Sequence, residues 1–189
     1  MSEETMAAAE RPSPDVGAKP PKKRRKKSTL RLFLDLLLKL ALIAAAVWAL
    51  LTFVVGVTIH YGNNMYPAIR DGDLIVAYRL QRPYLNAAVL YRHDGKLRMG
   101  RIVAMPDSEV YISEGGALTV NGIMPAEEVF YPTIRSETGA VSYPYAVGAD
   151  EVFILNDFRS DTNDSRAFGA AALDDVIGPV LLTVRRRGF

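Results

Sequence analysis

Residues 40–57, LALIAAAVWALLTFVVGV, run for eighteen positions without a charge. As a helix such a stretch rises about 27 Å, close to the hydrocarbon thickness of a bilayer. Upstream, residues 30–39 (LRLFLDLLLK) continue the apolar character but carry Arg31, Asp35 and Lys39, which places them in the interface with Lys39 snorkelling toward the headgroups. The basic run KKRRKK at residues 22–27 marks the cytoplasmic side. The expected organisation is a disordered basic cytoplasmic tail over 1–28, an interfacial segment and transmembrane helix over 29–57, and an extracytoplasmic domain over 58–189. That describes a single-pass protein of the cell membrane with its N-terminus inside. A cleaved signal peptide has the same order of basic and apolar parts. The length of the apolar run, and the lack of a small-x-small site in GVTIHYG, favour retention.

Charge is spread unevenly. Ten of the 23 basic residues and five of the 21 acidic ones fall in residues 1–57, so the remainder is mildly acidic although the whole chain has a formal net charge of +2. KKRRKK alone would also suit nucleic acid; the adjoining span directs it to a membrane surface instead, and no nucleic-acid partner is expected. There is no cysteine, and His60 and His93 are the only histidines. Disulfides and thiol nucleophiles are thereby excluded, and a zinc-type centre lacks ligands; neither metal nor cofactor is expected.

From Thr58 onward the pattern changes. DLIVAYRL, NAAVLYRH, LRMGRIVAM, ALTVNG, EVFILN and DVIGPVLLTV are short runs rich in Val, Ile, Leu and Tyr, separated by Gly, Asp, Asn and Pro. Such runs predict strands and turns. No stretch of a dozen residues has helical spacing, so a mostly β domain with one core is expected. Asn63 and Asn64 suit a turn, as does DGD at residues 71–73.

Three blocks carry a resemblance. GNNMYPAIRDGD (62–73) resembles the Gly-x-Ser-Met-x-Pro-Thr-Leu motif, followed by Gly-Asp, of bacterial type I signal peptidases, the membrane-anchored serine proteases of family S26; Gly62, Asn64, Met65, Pro67, Ala68, Ile69, Gly72 and Asp73 stand at its positions. GRIVAMPDSEV (100–110) resembles their Lys-Arg-Val-Ile-Gly-x-Pro-Gly-Asp, with Gly100, Arg101, Pro106 and Asp107. NDFRSDTNDSRAFG (156–169) resembles Gly-Asp-Asn-Arg-x-x-Ser-x-Asp-Ser-Arg-x-x-Gly and keeps Asp157, Arg159, Asp164, Ser165, Arg166 and Gly169. The resemblance runs from the span to about Val184. It implies a mainly β, signal-peptidase-like domain of short antiparallel strands behind one N-terminal transmembrane helix.

The departures fall on the implied chemistry. In the family a serine attacks the scissile carbonyl and a neutral, desolvated lysine takes its proton. Asn64 and Gly100 stand at those two positions, and an amide is neither nucleophile nor base. Losing both members of such a unit costs about a millionfold in rate, so the chain is expected not to be an enzyme. Arg98 shares a strand face with Gly100 but stays protonated, Lys96 lies about 13 Å along the strand, and Ser108 and Ser165 fall outside the nucleophile position. Thr162 stands where the family has a serine that orients the lysine. Asp164 and Arg166 resemble the ion pair that supports the site from behind, with Ser165 between them.

Replacing catalytic side chains leaves backbone donors in place, so an extended peptide could still be held by strand addition along residues 58–64 and 98–100. The candidate cleft is His60, Gly62, Asn63, Asn64, Met65, Pro67, Arg98, Met99 and Gly100, with Thr162, Asp164, Ser165 and Arg166 as scaffold. The resemblance further implies a role like that of degenerate family members linked to pilus clusters of Gram-positive bacteria. In that role the chain is a chaperone for a pilin or other secreted client, working with a sortase. The competing expectation is a divergent, active signal peptidase with an unrecognised nucleophile. The terminal RRRGF (185–189) suits either a frayed end or contact with anionic headgroups.

Overall fold

The computed structural model describes residues 29–126, 131–139 and 141–185. The expected tail over 1–28 and residues 186–189 of RRRGF lie outside these. The chain divides into two compact units, residues 1–41 and residues 42–189.

The described part of the first unit is helical. The helix α1 (Thr29–Ala49) buries no residue and passes into a π-helical turn at Leu50–Val54, giving 26 residues long and apolar enough to cross a membrane. Leucine, isoleucine, phenylalanine and Trp48 are exposed along it, and a helix that is apolar all round has no polar face to offer water. It suggests a membrane anchor. The helical geometry ends sooner than residues 40–57 anticipate, because Val55–Val57 pair with Tyr78–Val76 as strand.

The described residues of the second unit include ten antiparallel strands: β1 (Val55–Ile59), β2 (Leu74–Tyr78), β3 (Ala88–His93), β4 (Lys96–Ala104), β5 (Glu109–Ile112), β6 (Leu118–Val120), β7 (Tyr145–Ala146), β8 (Glu151–Leu155), β9 (Ala171–Ala172) and β10 (Val176–Val184). Seven form one sheet in the order β1-β2-β10-β3-β4-β8-β9, and β6-β5-β7 form a second. One short helix, α2 (Ser165–Phe168), follows β8. The mainly β architecture expected from the sequence is the one present.

Alternation builds the core. In β5, Val110 and Ile112 are buried while Glu109 and Tyr111 face outward, the two-residue period of a half-covered strand. With Val103, Leu118, Val147, Phe153 and Leu155 they form one apolar cluster; Val89, Tyr91, Ile102, Val152 and Ile154 form another, and Met65, Ile69, Ile75, Leu90 and Met99 a third beneath the turn after β1. Strand β10 pairs first with β3 and then with β2, with register shifts between Val176 and Gly178 and between Val180 and Leu182. Gly178 has φ 154° and a Cβ there would overlap the Tyr78 carbonyl oxygen, so the irregular pairing needs glycine; such a site also tolerates Pro179.

Candidate functional site

The segment after β1 folds back on itself at Gly62 (φ 96°), whose N–H donates to Asp71 Oδ1 at 2.7 Å. The ladder with β2 continues one step through His60 N–H to the Asp73 carbonyl, 2.8 Å. DGD forms the expected turn, Asp73 N–H donating to the Arg70 carbonyl and Asp73 Oδ2 accepting from Arg70 N–H. Of the anticipated strand edge over 58–64, therefore, Thr58 and Ile59 are strand and the rest is turn.

Asn64 follows on this turn. Its Nδ2 donates to the Met99 carbonyl and to Asn156 Oδ1, each at 3.0 Å, and its own carbonyl accepts from Phe158 N–H at 2.9 Å. The β4 edge is thus partly capped: the Met99 carbonyl is occupied by a side chain of the same molecule. Asn156, only 2% exposed, passes the connection on by donating from Nδ2 to the Asp161 carbonyl at 3.1 Å and from its backbone to Asp164 Oδ2 at 2.9 Å.

Behind this lies a fully committed ion pair. Asp164 and Arg166 are buried, with Nη2 to Oδ2 at 2.6 Å. Arg166 Nε donates to Asp164 Oδ1, Nη1 to the Ile134 and Arg159 carbonyls, and Nη2 to the Asp161 carbonyl as well as Asp164. All five guanidinium N–H groups have acceptors, the condition under which a buried charge is tolerated. Ser165 Oγ accepts the Ile154 N–H at 3.0 Å. A second bidentate pair, Arg101 to Asp157 at 2.7 and 2.6 Å, ties β4 to the segment after β8.

These supports surround a cleft of about 420 Å³. Of the residues expected there, His60, Gly62, Asn63, Asn64, Arg98 and Met99 line it. Met65, Pro67 and Gly100 do not. Met65 is fully buried in the core, where its length fills the space under the turn; Pro67 is exposed; and Gly100 is buried beside β8, where an added Cβ would overlap Ile154 Cγ2 and lie 3.1 Å from the Leu155 carbonyl oxygen. Thr162 is also absent from the wall. Thr58, Ile59 and Tyr61 line it as part of the expected edge over 58–64, and sequence reasoning missed Leu90, Leu97, Asn156, Asp161 and Asn163. Asn156 was legible: it occupies the leading glycine of the third motif. Thr58 and Leu90 carry no motif signal.

His60 is buried, which lowers its pKa below the ordinary 6.5; Asp71 and Asp73, and a hydrogen bond to the Gly62 backbone, push the other way without prevailing. Its Nε2 is buried without a hydrogen-bond partner. The cleft wall therefore carries amides, a neutral imidazole, one guanidinium residue and one carboxylate residue, Arg98 and Asp161, the hydroxyl-bearing Thr58 and Tyr61, and the apolar Ile59, Leu90, Leu97 and Met99. This set can hold a peptide by hydrogen bonds and apolar contact. Among the described residues no group of three or more carboxylate or histidine side chains could hold a metal ion.

The family model described as signal peptidase, peptidase S26, matches residues 33–184. The chain belongs to the S26 signal peptidase family. It is 26% identical over 141 residues to a protein of Synechocystis named "Probable signal peptidase I-2", covering 67% of this chain and 62% of that relative. It is 31% identical over 114 residues to a "Signal peptidase I" of Leptolyngbya laminosa, covering 58% and 49%. The chain thus spans about half to three-fifths of the length of these S26 relatives. Among solved structures, a signal peptidase I of Enterococcus faecalis aligns with a TM-score of 0.44 and 20% identity, covering 52% of this chain and 97% of that one.

Proposed function

We propose that this S26 protein binds an extended peptide of a secreted or membrane-tethered client without cutting it. One observation carries the reading: the amide of Asn64, at the position where the family's motif has serine, is bonded to the Met99 carbonyl and Asn156, while Gly100, at the lysine position, has Ile154 packed where a longer side chain would begin. Neither position offers a nucleophile or a base. β1 remains an edge strand of the large sheet, and an edge strand can take up another strand. The resemblance to degenerate Gram-positive members linked to pilus clusters makes a pilin, assembled with a sortase, the leading client. The anchor, with the basic tail on the cytoplasmic side, would hold the β domain at the outer face where such clients emerge.

A second reading, an active signal peptidase, is favoured by the names of both S26 relatives. Thr58 is the one aliphatic hydroxyl on the cleft wall, two residues before His60, and would be its nucleophile. The deciding experiment incubates the full-length protein in detergent with a preprotein bearing an Ala-x-Ala site and follows both cleavage and co-purification of the uncut chain. Retention without cleavage supports the binder. Cleavage that disappears in Thr58→Ala overturns it in favour of the peptidase.

A further inference from the structure

We infer that the cleft reads an acidic side chain of the peptide it holds, and that Arg98 is the residue that reads it; this rests on the peptide-binding function proposed above. Arg98 lies on β4 opposite Tyr91 of β3, so the two side chains share one face of the sheet. Its guanidinium carbon sits 5.3 Å from the centre of the Phe168 ring, and Nη1 donates to the Asn163 carbonyl and Oδ1 at 3.3 and 3.0 Å. These contacts fix the group while occupying one of its three nitrogens.

The remaining edge is uncommitted. Among the described residues no carboxylate pairs with Arg98, and its Nε is buried with no acceptor. The contrast with its neighbours is sharp: Arg166 has acceptors for every N–H, and Arg101 holds Asp157 by two bonds. With Nε closed to solvent, a peptide carboxylate meets the guanidinium at Nη2, in a charge-assisted bond. The Tyr91 hydroxyl, on the same face, is a second buried donor without a partner. Asp161, also on the cleft wall, spends Oδ1 on the N–H of Asn163 at 3.0 Å, the residue that Arg98 holds.

The test uses the full-length protein in detergent micelles and fluorescein-labelled Thr/Ala decapeptides carrying one Glu, moved position by position, with Gln and Lys counterparts, read by fluorescence polarisation. At one register the Glu peptide should bind about tenfold more tightly than its Gln counterpart. Arg98→Gln should remove that difference between Glu and Gln peptides, Arg98→Lys should lose most of it with the charge retained, and Arg98→Glu should shift preference to the Lys peptide. Equal binding of Glu and Gln peptides at every register, preference for Lys by the unaltered protein, or a preference that survives Arg98→Gln would each overturn the inference and leave the binder standing. If no decapeptide binds, the peptide-binding function itself falls, and the role of Arg98 with it.

Discussion

Asn64 Nδ2 stands 3.0 Å from Asn156 Oδ1, and this bond between two amides joins the turn after β1 to the end of β8 across 92 positions of sequence. The two residues occupy the serine and leading-glycine positions of separate S26 motifs, so two departures from one family pattern meet in space. Each explains the other: the donor of one needs the acceptor of the second.

Reversing Asn64 alone should therefore disturb more than one side chain. Asn64→Asp would set a carboxylate against the Met99 carbonyl and Asn156 Oδ1, both acceptors, and should lower stability by about 2–3 kcal/mol. Asn64→Ser, losing two neutral bonds but adding no charge, should cost about 1–2 kcal/mol. Urea unfolding of the three proteins orders them.

Restoring the family's lysine should fail for want of room. Gly100→Lys places a Cβ against Ile154 Cγ2, and overpacking of this kind costs about 1–3 kcal/mol or more. Adding Ile154→Ala should recover much of that loss. Thermal unfolding of the single and paired variants measures it; a Gly100→Lys protein as stable as the parent would contradict the packing described.

Asp164→Asn should be among the most damaging polar substitutions in the domain. It leaves the buried Arg166 without its counter-charge, a change worth about 3–5 kcal/mol. Asp94→Asn, on an exposed turn, should change stability by less than about 0.5 kcal/mol. Denaturant midpoints of the two variants make the comparison.

His60 predicts a pH dependence. Its folded-state pKa lies below 6.5 because burial disfavours the charged ring, so the unfolded chain takes up the proton first. Its contribution to stability is whole above pH 6.5 and drains away as pH falls below that value. His60→Gln should flatten the decline between pH 7 and pH 5 relative to the parent, as read from unfolding midpoints across that range.

Much of the fold was legible because it is written in local pattern. Runs such as EVFILN and DLIVAYRL became β8 and β2 almost at their quoted limits, since β-branched residues bounded by turn formers leave little choice. The first three residues of β1 were lost to the apolar span before them: Val55–Val57 is as uncharged as the helix it follows, and hydrophobicity alone does not mark where the period changes from 3.6 to 2. The two-residue strands β7 and β9 are set by their partners rather than by their own residues. At the site, motif spacing located Asn64 and the Asp164–Arg166 pair, but motif membership was mistaken for a place on the cleft wall. Met65, Pro67 and Gly100 belong to the pattern because they shape the turn and admit Ile154, and none of them faces the cleft.

Strand β10 has a bearing on the order in which the domain can be completed. β2 and β3 are consecutive in the chain yet do not pair with each other; Val176–Val184 lies between them and, among the described strands, is the one that pairs the β1–β2 ladder to the rest of the large sheet. During synthesis that wedge is made after the other nine described strands. Until it emerges, β1 and β2 have no third strand to rest on, and two strands alone are marginal in water. A nascent chain would carry an unfinished sheet until residues 176–184 had been made, and stopping translation just before residue 176 would leave the β1–β2 pair unjoined to β3.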